Sequence, residues 1–153
     1  MQTDSARTAV LAYIDAALAG VTDPTLAVIQ GPPWAINQDR QCNYWYEGDE
    51  WYHDSSGLDT LSYLEKFAIW VFWPAPGAQQ LLTSMVAEAW DANRSIHQAL
   101  LADVSMGGLV EAIVPQPSQA NLWQHYSGSW FYALQTPWFI RYADADTAGN
   151  RGT

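Results

Sequence analysis

Lysine occurs once in this chain of 153 residues, at Lys66, and cysteine once, at Cys42. A single cysteine excludes an internal disulfide, a paired-thiol redox centre and any metal site built on several thiolates, and it fits synthesis in a reducing compartment. Basic residues number six against sixteen acidic ones, giving a formal charge of −10 at pH 7. The chain therefore lacks the cationic stripe that grips a phosphate backbone. Such a surface suits DNA that must slide past without sticking, because repulsion suppresses non-specific adhesion. No apolar run reaches the ~18 residues of a membrane span. The stretch Met1 to Ser5 is polar, so a signal peptide is not expected either.

Signatures of catalysis are missing as well. The chain has no G-x-S-x-G, no phosphate-binding P-loop and no G-x-G-x-x-G. His53, His97 and His125 stand far apart, without a second ligand at the spacing that puts two donors on one metal. Five carboxylates, Glu47, Asp49, Glu50, Asp54 and Asp59, fall within thirteen residues, but not at the spacing of a calcium loop. They read as a solvated bend that protects a strand edge. Cys42, set in an aromatic segment, reads as a small hydrophobe, and Gly107-Gly108 as a connection between elements. No catalytic residue, cofactor or metal is assigned, and an enzyme is not expected.

Charge of either sign is scarce, at 14% of residues against about a quarter in ordinary proteins. That deficit implies a surface partly covered by something else, a second copy of the chain being the simplest candidate. What the chain has instead is apolar bulk, 49% of its residues, and twenty-one aromatics, nine of them tryptophan. A single domain spanning 1–153 is the expectation, with 143–153 a flexible tail. One small core does not hold every ring, so the surplus points to a contact surface.

Along the chain, Ala6, Val10, Ile14 and Leu18 recur at helical spacing, with Gly20 as the stop. Leu26 to Ile29 reads as a short strand before the Gly31-Pro32-Pro33 turn. Cys42 to Tyr52 and Thr60 to Trp73 read as long strands, the first broken by its acidic, glycine-containing centre and the second ended by Pro74-Ala75-Pro76-Gly77. A turn is expected at Ser55-Ser56-Gly57. Ala78 to Ala102 reads as a longer helix, and Met106 to Val114 and Ser129 to Tyr142 as further extended segments. The fold class expected is α+β, a mostly antiparallel sheet of four to five strands packed on one long helix, with an N-terminal helix. The candidates for an interface are Trp45, Tyr46, Trp51 and Tyr52 for apolar contact, with Glu47, Asp49 and Glu50 for polar or lumenal surface.

In this order of elements, from the alanine-rich helix Ala6 to Leu18 through Gly31-Pro32-Pro33 to the helix Gln79 to Leu101 and the closing strands, the chain resembles the tail terminators of long-tailed bacteriophages. That family includes tail-completion and minor tail proteins of the lambda type. The resemblance implies a homohexameric ring that ends polymerisation of the tail tube. Its partners are then further copies of itself, the tail tube protein and the head-tail connector protein, with DNA passing through the lumen unbound and no membrane contact. It also implies a virion protein made in the host bacterial cytoplasm. Head-completion and neck connector proteins share parts of the layout and stay open as alternatives. An aromatic-rich module that stacks carbohydrate or another ligand on its rings also stays open.

Overall fold

The computed structural model describes residues 4–21, 26–33, 40–53, 61–76, 83–125 and 128–142, with the backbone alone at 4–6, 49–53 and 61–63. The expected Ser55-Ser56-Gly57 turn, the helix start at Ala78 and the tail from Ala143 lie outside these residues. Aromatic and β-branched side chains pack well on a pleated surface, and they draw the middle and end of the chain into strands. The elements are α1 (Asp4–Ala19), β1 (Ala27–Gln30), β2 (Gln41–His53), β3 (Leu61–Ala75), α2 (Thr83–Leu101), β4 (Ala112–Pro115), β5 (Gln119–Gln124) and β6 (Trp130–Arg141).

All six strands join one sheet in the order β1-β2-β3-β6-β4, with β5 also paired to β6. β1 runs parallel to β2, whereas every other pairing is antiparallel. This corrects the expected architecture of a four- to five-stranded sheet on one long helix. The chain is mostly β, its sheet is mixed, and the two helices share one face of it. Three local features explain the difference. β3 does not stop at Trp73 but runs through Pro74, which pairs with Phe131 beyond the last β2 contact, Gln41 with Phe72. Past that point the strand has lost one neighbour, and a missing N–H costs no ladder bond on that side. Met106 to Val114 is not one extended segment. Met106, Gly107 and Gly108 all take positive φ, at 50°, 68° and 89°, so a tight turn occupies this stretch and only Ala112–Pro115 is strand. β5 adds a strand that the sequence reading did not assign.

The helix-bearing face holds the main core. α1 buries Val10, Ile14 and Leu18 along one stripe, and α2 buries Met85, Ala89, Ala92, Ile96 and Leu100. They pack on Cys42 and Tyr44 of β2, Phe67, Ile69, Val71 and Trp73 of β3, and Leu134, Trp138 and Ile140 of β6. Ala89 and Ala92, both fully buried, let α2 lie close to the large rings of Trp73 and Trp138. Each of the larger side chains contributes about 1.5–3 kcal/mol by leaving water.

β6 has neighbours on both sides, yet it contains Pro137. β5 pairs with residues 130–135 and β4 with 138–141, so Pro137 stands at the gap between them. Gln116 N–H donates to the Pro137 carbonyl at 2.8 Å, which shows that this residue's hydrogen-bonding side faces the β4–β5 connection and not β3. The donor that proline lacks is one the sheet does not use.

A candidate assembly surface

Side chains alternate across a strand, so the residues between those of the main core must point to the other face of the sheet. There they build a second apolar cluster, Phe72, Phe131 and Ala133 with Trp70 and Trp123 against it, and no helical residue belongs to it. The rings form a row. Trp123 of β5 lies 5.3 Å from Phe72 of β3, Phe131 of β6 lies 6.4 Å from Phe72 edge-on, Trp70 lies 5.9 Å further along β3, and Trp45 of β2 lies 5.4 Å from Trp70. Tilted and edge-on contacts at these spacings are the favourable ones for aromatic quadrupoles. Phe72 is fully buried, while Trp45, Trp70 and Trp123 keep part of their surface open. Beside the row, Gln41 donates to Asn43 at 2.8 Å, and Asn43 donates to the Gly31 carbonyl at 3.0 Å, which ties the turn after β1 to this face.

Of the interface candidates, Trp45 joins the row and Tyr46 does not. Tyr46 points to the helix side, where it lines a cleft of roughly 440 Å³ with Arg7, Glu47, Gly48 and Glu65. Glu65 is buried there, paired with Arg7 at 2.9 Å and accepting from the Tyr142 hydroxyl at 3.1 Å. Burial, followed by the charge of Glu65, raises the pKa of the Tyr46 hydroxyl, and burial with Tyr46 and Glu65 nearby raises that of Tyr142. Both phenols therefore stay protonated, and that of Tyr142 donates to the Glu65 carboxylate.

Glu47 is exposed at a bulge where the β2 register shifts between Tyr46 and Gly48. Gly48 has a φ of 144°, which disfavours a side chain, and of the bend or bulge expected at this acidic, glycine-containing centre the structure shows the bulge, through which the strand continues. Asp49, Glu50, Trp51 and Tyr52 lie in the second half of β2, opposite Glu65, Leu64, Tyr63 and Ser62 of β3. Of the candidates with described side chains, the structure puts Trp45 in the row on the second face and Tyr46 on the helix side. Trp70, Phe72, Trp123 and Phe131 were not among them, although the alternation of β3 at Trp70 and Phe72 was the signal for two.

The remaining titratable groups are tied into structure. Burial pushes the Cys42 thiol up to about 12, so it stays protonated. His97 donates from Nδ1 to the Asn93 carbonyl, 2.8 Å away, and packs on Trp138 at 5.0 Å. Four of the six basic residues form ion pairs, Arg7 with Glu65, Arg40 with Glu88, Arg94 with Asp91 and Arg141 with Glu111. Arg40 also lies over the Trp73 ring at 4.7 Å. Four cations are thus engaged within the chain itself. Among the described residues no group of three or more His, Cys, Asp or Glu side chains converges, and no described helix is long and apolar enough to cross a membrane.

No family model matches the sequence, and no curated protein matches it. Among solved structures, a chain from the virion of a native gene transfer agent particle is similar, at 17% identity and a TM-score of 0.46, over 89% of this chain and 91% of that one.

Proposed function

We propose that this protein is a structural subunit of a phage-type particle, acting by association with further copies of itself and not by catalysis. In its specific form the proposal is a tail terminator, a homohexameric ring that ends the tail tube and meets the head connector. The observation that carries it is the second sheet face, where a row of five rings from Trp45 to Trp123 has no described helix packed on it. Large rings with open surface, in a chain poor in charge, are the composition of a contact centre. The acidic surplus suits a channel through which DNA passes unbound. In a ring built from one repeated heterologous contact, the two ends differ, and growth stops where one end matches the tube and the other does not.

Native mass spectrometry of the purified protein tests this. A closed oligomer, with six copies for the specific form, is the expected result. A monomer at the highest soluble concentration that gains mass on addition of oligosaccharide would overturn it in favour of a stacking module.

A further inference from the structure

We infer that copies join through the two edges of the sheet, β5 of one copy pairing antiparallel with β1 of the next. This rests on the self-association proposed above and names the surfaces that carry it. Exposed strand edges are templates for pairing, and proteins normally blunt them with lysine, other charges or proline. Neither edge here is blunted. β1 reads Ala-Val-Ile-Gln and β5 reads Gln-Ala-Asn-Leu-Trp-Gln, with Gln119, Ala120, Asn121 and Gln124 exposed. Among the described elements, β5 touches β6 and β1 touches β2 and α1, which leaves the outer side of each strand open.

Strand direction selects the pairing. β1, β2 and β6 run one way, and β3 and β5 the other. Placed side by side with their sheets continuing, β5 of one copy and β1 of the next run antiparallel, the better-bonded arrangement. The faces also match. On the second face the row of rings begins at Trp123 on the β5 edge and ends at Trp45 on β2, one strand short of β1, where Ile29 pairs with Asn43. A neighbouring Trp123 beside Ile29 continues the row across the joint. On the helix face, Leu122 lies beside Tyr132, and Val28 packs on the main core. A cleft of roughly 360 Å³, lined by residues including Leu11, Asp15, Gln30 and Tyr44, opens next to β1 to receive the neighbour's Leu122.

Two variants carry the test. Trp123→Cys in one sample is mixed with Ile29→Cys in another, under mild oxidation. Both positions lie on the second face and face each other across the joint, so a disulfide between unlike variants, with none within either sample alone, is expected. Trp123→Cys linking to itself would overturn the joint in favour of a symmetric dimer. In a second experiment Ala120→Lys with Asn121→Lys charges an exposed edge, and native mass spectrometry should then show monomer with an unchanged melting temperature. An unaltered oligomer carrying both lysines would overturn the joint while leaving self-association standing. A wild-type protein that never associates would overturn both.

Discussion

Met106 holds a left-handed backbone although it is not glycine, which costs about 1–2 kcal/mol. Its side chain is fully buried in the main core, which returns about 1.5–3 kcal/mol. Burial therefore outweighs strain, and Met106→Ala should lose about 2–5 kcal/mol in a urea titration. What holds the turn is Asp103, which accepts from Ser105 N at 3.0 Å, Ser105 Oγ at 2.7 Å and Gly107 N at 2.9 Å. The Ser105 hydroxyl contact comes first among the causes that hold the Asp103 carboxyl below its ordinary pKa. A depressed value in the folded state means the carboxylate contributes stability above the unfolded value of about 3.9, and that this contribution fades as pH falls through the folded value. Asp103→Ala should accordingly melt lower than wild type at neutral pH, with the gap narrowing in strongly acidic buffer.

Between elements, a closed polar triangle fixes the β4–β5 connection to the core. Asn93 of α2 donates to Ser118 at 3.0 Å, Ser118 and Thr136 share a bond of 2.6 Å, and Thr136 reaches back to Asn93 at 3.4 Å. Thr136→Val keeps the shape but leaves two partners unsatisfied, so the unfolding free energy from a urea titration should fall by about 1–3 kcal/mol with an unchanged slope. This arrangement also marks the limit of what the sequence disclosed. The stripe of α1 was legible because Val10, Ile14 and Leu18 carry it without interruption, and the alternation of β3 because large residues fill its odd positions. β5 was not legible: Ala120 and Leu122 give a weak alternation, and the strand exists because β6 offers it an edge. The parallel placement of β1 and the sharing of one sheet face by both helices depend on contacts distant in sequence, which no local pattern records. For the candidate surface, the excess of tryptophan pointed to rings beyond one core, but their position required the sheet, which put Trp45 beside Trp70 and turned Tyr46 to the other side.

For the whole molecule, the pairing of arginines with carboxylates of the same chain has a measurable consequence. With net charge −10 and four of its six cations paired, the protein should leave linear duplex DNA unretarded in a gel shift at low ionic strength, where any cationic patch binds most strongly. A retarded band that salt abolishes would show a basic surface incompatible with free passage of DNA.

Pro137 bears on how copies would leave one another. By dividing the β6 edge it keeps β4 and β5 as separate strands of four and six residues, so a neighbour docking on β5 finds a short rail and not a long one. At about 1 kcal/mol net for each backbone bond, so short a rail is weak by itself. Open arcs would then shed their end subunits readily, whereas a closed circle, in which every subunit is held on both sides, would not. In the proposed ring, a strand break inside one subunit would thus serve to discard unfinished assemblies and keep complete ones.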